Sequence, residues 1–152
     1  ATTEIYTLSL HDALPIYFGA FVGFESITLE MILGVLLSPA AWLLGVPWAE
    51  ASTVGSLIGQ KLILNEFVAY VAFSEVSDTL SPISQAIVIF ALCGFANLSS
   101  IAILLGGLGA IAPTRRDDIS RLGVRALIAA TLANLMSASL AGFFLSLPGA
   151  AG

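Results

Sequence analysis

Two long runs without a charged residue constrain the fold of this chain most strongly. No charged residue occurs from Thr79 to Thr114 or from Ala126 to Gly152. Each run is longer than the ~20 apolar residues that a helix needs to cross a bilayer. Only 10% of the 152 residues are charged, against about 25% in soluble domains. The sequence therefore predicts an integral membrane protein, and its helical apolar spacing, without strand alternation, predicts an all-α fold.

The composition argues against several functional classes. The net charge is -5 and the five cations form no basic stripe, so we expect no nucleic-acid partner. Cys93 is the single cysteine and His11 the single histidine, so we expect no disulfide, metal cluster or catalytic triad. An intramembrane protease would need paired acids, and Asp78 is the only deep candidate. We therefore expect neither an enzyme nor a bound cofactor.

The first sixteen residues differ in character from the rest. Ala1 to Ile16 can be encoded by a DNA string that resembles a widely used sequencing-library adapter. The segment lacks the basic start of a secretory signal. We expect residues 1–16 to be an artefact, with no function for His11, and residues 17–152 to be a fragment whose upstream part is missing. The alternative is a polar N-terminal tail.

The next segment, residues 27–45, is predicted to be a helix at the membrane surface. Leucine and isoleucine recur there at three- and four-residue spacing. Trp42 and Trp48 suit the headgroup level, where aromatic side chains collect. Pro39 is expected to break or kink this helix. A short kinked span is the alternative interpretation.

Residues 48–80 are predicted to form a re-entrant hairpin. Two apolar arms of about 14 residues, or ~21 Å each as helix, flank the polar pair Asn65 and Glu66. Such arms are too short for the ~30 Å hydrocarbon core, so they would enter and return on one side. Glu66 would then lie deep in the membrane, where an ionisable residue usually marks a substrate or ion pathway. The alternative is an interfacial Glu66 paired with Lys61.

Residues 83–110 are predicted to form a broken transmembrane helix. As one helix this segment would exceed the membrane thickness, and residues 94–100 contain the best candidates for a break. Interrupted helices are tolerated in membranes where they line a cavity, and transporters use them to hold substrates. Asn97 and Ser100 would share one helix face. They could also serve only to hold helices together, and Phe95 could serve only in packing.

The last predicted helix covers residues 119–147. The loop Arg115–Arg125 before it carries four of the five cations, so we expect it on the cytoplasmic side. Lipid headgroup contact by these arginines is a minor option. Small residues elsewhere predict close helix packing: Gly55 and Gly59 in the hairpin, and Gly106, Gly107 and Gly109 in the broken helix. Cys93 is expected to be a small buried hydrophobe.

Four segments together resemble the C-terminal region of the concentrative nucleoside transporter family. They are GVPWAEA (45–51), GQKLILNEFVAY (59–70), ALCGFANLSSIAILLGGLGAIAP (91–113) and RRDDISRLGVRAL (115–127). The resemblance implies the second of two inverted repeats, with an interfacial helix, a re-entrant hairpin, a discontinuous transmembrane helix and a final transmembrane helix. It covers residues from about 25 to 142.

The resemblance also implies a function. In the family, residues at the positions of Glu66, Asn97 and Ser100 bind the ribose hydroxyls, and the residue at the position of Phe95 packs against the nucleoside. This implies an importer of the cytoplasmic (inner) membrane that is coupled to sodium or protons, assembles as a homotrimer and works by alternating access. The base-reading hairpin and the ion site would lie in the missing upstream part. The alternative is a membrane-embedded gate or assembly module without a solute site.

Overall fold

The computed structural model describes residues 28–147, and every regular element in that range is helical. The segment 1–16, interpreted above as adapter-derived, lies outside the described residues. Six α-helices follow one another, with 3₁₀ turns at Ser77–Thr79 and Pro113–Arg115. The α-helices are α1 (Leu29–Leu43), α2 (Trp48–Ile63), α3 (Glu66–Val76), α4 (Pro82–Leu92), α5 (Leu98–Ile111) and α6 (Arg116–Ser146).

Four of these helices begin at a side-chain cap that the sequence supplies. In each case a side-chain oxygen accepts a hydrogen bond from the backbone N–H three residues later, which satisfies one of the free donors of the first turn. The caps are Thr28 for α1, Asn65 for α3, Ser81 for α4 and Asn97 for α5. Polar residues between apolar runs therefore fix where the short helices start.

Helix α1 is continuous through Pro39, so of the two expectations for this residue, a break or a kink, the break is wrong. Proline removes only one backbone donor, and membrane helices tolerate this where neighbouring groups compensate. Ser38 reinforces the same turn by donating its hydroxyl to the carbonyl of Gly34. The chain turns instead at Gly45, whose φ of 103° favours glycine, and α2 then leaves at 115° to α1.

Helices α1 and α2 pack closely through small residues. A Cβ added at Gly55 would lie 2.9 Å from the carbonyl oxygen of Gly34, and one at Gly59 would lie 2.6 Å from Cβ of Leu33. The predicted close packing at Gly55 and Gly59 is thus confirmed. Buried apolar residues of α2 continue this contact into the main core, which includes Ala51, Val54, Leu57 and Ile58.

Two packing predictions for the broken helix are not met within residues 28–147. A Cβ at Gly106 or Gly107 would find no atom within 4 Å, whereas one at Gly109 would lie 2.8 Å from the Arg116 side chain. Cys93 is exposed rather than buried, because α4 ends at Leu92 and the chain turns away from the core there.

Helix α6 is the longest element, and α4 and α5 pack against it. With its preceding turn it covers Pro113–Ser146 and is, within 28–147, the one continuous helix long and apolar enough to cross a membrane. Helices α1 and α2 pass the same test only as a bent pair, and α4 and α5 are shorter apolar helices separated by residues 93–97. Asp117 and Asp118 occupy the first turn of α6, as expected for acidic residues near a helix N-terminus.

Candidate functional site

The tip of the α2–α3 hairpin places a carboxylate at a helix N-terminus. Helix α2 ends at Ile63, and Asn65 begins α3 by accepting the backbone N–H of Val68 at 2.9 Å. Glu66 is the first residue of α3 and is half-buried. The free N–H groups and the dipole of α3 favour a negative charge at this position.

The break between α4 and α5 is built around Asn97. Its side-chain oxygen accepts the backbone N–H of Ser100 at 2.8 Å and lies 2.9 Å from the Ser100 hydroxyl. That hydroxyl also lies within hydrogen-bond distance of the carbonyl of Phe95. Asn97 is only 3% exposed. The break is therefore held by side-chain hydrogen bonds that replace the missing helical ones.

The hairpin tip and the break meet through two hydrogen bonds. The amide Nδ2 of Asn97 donates to Oε2 of Glu66 at 3.3 Å, and the Ser99 hydroxyl donates to the carbonyl of Leu64 at 3.2 Å. Glu66, Asn97 and Ser100, which were singled out from the sequence, thus form one connected cluster. Because α3 and α5 both begin at this cluster, two positive helix ends converge on it.

Phe95 joins this cluster through its backbone carbonyl, and its side chain lines a neighbouring cleft. Its side chain is 80% exposed. The cleft, of about 300 Å³, lies between α5 and α6 and is lined by Phe95, Asn97 and Ser100 together with apolar residues. Glu66 does not line it and reaches it only through Asn97. A cleft with an apolar wall and a few polar groups at one end can hold an amphiphilic small molecule.

The alternative pairing of Glu66 with Lys61 is not formed. Within residues 28–147 the ion pairs are those of Asp118 with Arg115 at 2.8 Å and with Arg121 at 3.3 Å. Lys61 lies in the last turn of α2 and is only 1% exposed. The Glu66 carboxylate therefore has the Asn97 amide, rather than an ammonium group, as its hydrogen-bond partner.

Two contacts that the sequence interpretation missed fix the hairpin against α4. The Glu50 carboxylate accepts two hydrogen bonds from Ser81, one from its backbone N–H at 3.2 Å and one from the Ser81 hydroxyl at 3.0 Å. The Tyr70 hydroxyl donates to the carbonyl of Ile89 at 2.8 Å, near the end of α4. A serine before a proline at a helix start, as in Ser81, was the available signal for a cap. Nothing local indicated that Glu50 would join it.

The described residues contain no group of three or more histidine, cysteine or acidic side chains that could hold a metal ion. The acceptors at the cluster are one carboxylate, one amide and one hydroxyl. Together with the amide and hydroxyl hydrogens, they can bind a ligand that both donates and accepts hydrogen bonds, such as a sugar.

An all-helical chain with exposed apolar surface and a polar cluster at two interrupted helices is typical of membrane transporters. A profile described as Na+ dependent nucleoside transporter C-terminus matches residues 4–142. The chain therefore belongs to the Na+-dependent concentrative nucleoside transporter family and corresponds to its C-terminal region.

Individual relatives agree with this assignment. The chain is 59% identical over 128 residues to the uncharacterised transporter YutK of Bacillus subtilis, covering 84% of this chain and 31% of YutK. It is 47% identical over 128 residues to the nucleoside permease NupC of Helicobacter pylori, covering 81% of this chain and 31% of NupC. CNTnw, solved in an inward-facing substrate-bound state, matches at 48% identity with a TM-score of 0.87, over 97% of this chain and 38% of CNTnw. The chain thus spans about a third of these relatives.

Proposed function

We propose that this chain is the second half of the transport domain of an ion-coupled nucleoside importer, and that it binds the ribose of the nucleoside at Glu66, Asn97 and Ser100. The hydrogen bond between Asn97 Nδ2 and Glu66 Oε2, at 3.3 Å, is the observation that carries this proposal. It brings a carboxylate from the hairpin and an amide from the broken helix to one point. Family membership and the substrate-bound relative support a nucleoside as the ligand.

The chemistry of the cluster suits a sugar with adjacent hydroxyls. A carboxylate can accept two O–H hydrogen bonds, and such charge-assisted bonds are roughly twice as strong as neutral ones. The Asn97 amide supplies both a donor and an acceptor. A sugar that lacks a hydroxyl would leave one of these buried groups unpaired, so the site would reject it. Phe95, at the mouth of the adjoining cleft, is proposed to pack against the nucleoside.

The helices suit a particular placement in the membrane, which is part of the same proposal. Helix α1 would lie at the interface, with the rings of Trp42 and Trp48, 6.5 Å apart and both exposed, at headgroup level. Helices α2 and α3 would form the re-entrant hairpin, α4 and α5 the discontinuous span, and α6 the final span. The arginine loop Arg115–Arg125 would face the cytoplasm, and the complete transporter would work by alternating access.

The proposal extends to the complete protein. Residues 17–152 would be the transporter-derived part and residues 1–16 the adapter-derived part, with the profile match extending into the latter from residue 4. The bacterial relatives support a location in the cytoplasmic membrane. The family description supports sodium as the coupling ion, with a proton as the alternative. A homotrimer is the assembly that the family resemblance implies.

The substitution Glu66→Gln in the full-length transporter tests the site. It keeps the size of the side chain but removes the charge, and hydrogen bonds to charged groups contribute about 1.5–3 kcal/mol. We expect uridine uptake to fall by about ten- to a hundredfold while the amount of protein in the membrane stays normal. Uptake of labelled uridine into vesicles, with protein quantified by immunoblot, measures both.

Glu75→Gln is the matched control, because Glu75 is an exposed acid on the same helix α3. This variant should transport like the wild type. Normal uptake by Glu66→Gln would contradict the site assignment and would favour a membrane module without a solute site.

A further inference from the structure

Helix α6 runs antiparallel to both halves of the broken helix and bridges the break between them. On one side of the break, Ile87 of α4 meets Gly142 of α6, where an added Cβ would lie 2.8 Å from the isoleucine side chain. On the other side, Ile101 of α5 meets Gly123, with an added Cβ at 3.4 Å. The stretch of α6 between Gly123 and Gly142 therefore lies level with residues 93–97.

The middle of this stretch carries the polar residues Thr131 and Asn134. They are three residues apart and so share one face of the helix. The Asn134 amide lies directly on the backbone of Gly94, since a Cβ added there would come within 2.8 Å of Asn134 Cγ and Oδ1. Gly94 immediately precedes Phe95 and is three residues before Asn97. A glycine is needed at this point to let the amide approach.

These two residues are costly to keep inside a membrane protein. Thr131 Oγ1 and Asn134 Nδ2 are buried and have no hydrogen-bond partner among the described residues. A buried polar group without a partner destabilises the fold, and polar residues facing the interior of membrane proteins usually serve function. An alanine or leucine would pack here at lower cost. Asn134 lies against Gly94, so its role concerns the break between α4 and α5.

We propose that Asn134 is a positioning residue for the nucleoside site. Its amide packs against Gly94 without a hydrogen bond and thereby limits the positions that the segment 93–97, with Phe95 and Asn97, can take. Thr131, one turn earlier, supports the same face. This inference rests on the proposed function, because it concerns how the ribose-binding segment is held.

A double-mutant cycle in the full-length transporter tests the contact. Gly94→Ala should raise the KM for uridine by about tenfold, a size typical of coupled neighbours, because the new methyl group displaces the Asn134 amide. Asn134→Ala should raise KM less. The double variant Gly94→Ala/Asn134→Ala should have a lower KM than Gly94→Ala alone, since the methyl group then occupies the space that the amide left.

The KM for uridine is also the measurement for the control variant and for the outcomes that would contradict the proposal. Ser137→Ala should leave KM unchanged, because the Ser137 hydroxyl is exposed and donates only to Ala133 of its own helix. Additive effects of the two substitutions on KM would overturn the proposal. If Gly94→Ala yields no protein, the variants Asn134→Ala and Asn134→Leu test the proposal instead. A wild-type KM in both variants would overturn the positioning role of Asn134, and a raised KM in both would support it.

Glu66→Gln, measured in parallel, separates this inference from the function on which it rests. Additive effects at positions 94 and 134 together with loss of uptake in Glu66→Gln would reject the positioning role alone. Normal uptake in Glu66→Gln together with a non-additive cycle would reject the ribose site but keep the contact between Asn134 and Gly94.

Discussion

An asparagine caps each of the two helices that begin at the candidate site, Asn65 for α3 and Asn97 for α5, but these two residues have different roles. Asn65 and Asn97 each accept a backbone N–H three residues later, at 2.9 and 2.8 Å. Of these two amides, Asn97 also donates to Glu66. In the sequence, Asn65 and Glu66 form a polar pair, which does not show what each asparagine contacts. The structure shows that Asn65 caps α3, whereas Asn97 caps α5 and also contacts the Glu66 carboxylate.

This difference predicts that replacing asparagine by serine has different effects on uridine uptake at positions 97 and 65. Serine is as good an N-cap as asparagine, but it cannot supply the amide that reaches Glu66. We therefore expect Asn97→Ser to lose most uridine uptake and to keep the part of the stability that the cap contributes. Asn65→Ser should keep both uptake and stability.

Asn97→Ala adds the cost of the lost cap, which is about 1 kcal/mol. Its melting temperature in detergent should therefore lie below that of Asn97→Ser. Equal uptake by Asn97→Ser and Asn65→Ser would show that Asn97 serves only as a cap.

At the scale of elements, glycines in different helices have different roles. Gly55 faces the backbone of α1, where a Cβ would lie 2.9 Å from Gly34 O, Leu37 C and Ser38 N. Backbone atoms cannot move aside as a side chain can, and overpacking of this kind costs about 1–3 kcal/mol. Gly55→Ala should therefore lower the melting temperature of the full-length transporter in detergent.

Gly106→Ala is the comparison, because an added Cβ there meets no atom within 4 Å in the described part of the chain. Alanine is better than glycine in a helix by up to about 1 kcal/mol, so this variant should be as stable as the wild type or more stable. A larger loss of stability for Gly106→Ala than for Gly55→Ala would contradict the packing described for α1 and α2.

The sequence predicted the all-α fold and the helix interruptions because both depend on local properties. Charge-free runs, short arms and polar residues such as Glu66 and Asn97 are visible along the chain. The exposure of Cys93, the continuity of α1 at Pro39 and the contact of Asn134 with Gly94 depend on neighbours distant in sequence. Glycine spacing alone did not distinguish Gly55, which has a partner helix, from Gly106, which has none among the described residues.

At the scale of the whole molecule, the hairpin is joined to the broken helix at both of its ends. At the tip, Glu66 accepts from Asn97, and at the base, Glu50 accepts from the N–H and hydroxyl of Ser81. Helix α2 runs from the base to the tip of the hairpin, and α4 runs from Ser81 at the base to the break, so these two helices have the same direction. Hydrogen bonds at both ends restrict rotation of the hairpin relative to α4 and α5.

The base contact is far enough from the tip to be tested separately. Helix α2 has 16 residues and is therefore about 24 Å long. Glu50→Ala removes a charged acceptor, which costs about 1.5–3 kcal/mol, and so should lower the melting temperature and the Vmax of uridine uptake. The KM should stay close to the wild-type value, because Glu66 and Asn97 keep their hydrogen bond. Glu75→Ala, which removes an exposed acid from α3, should change none of these quantities. A clear rise in KM for Glu50→Ala would mean that the two ends of the hairpin are not independent, and that the base contact shapes the ligand site itself.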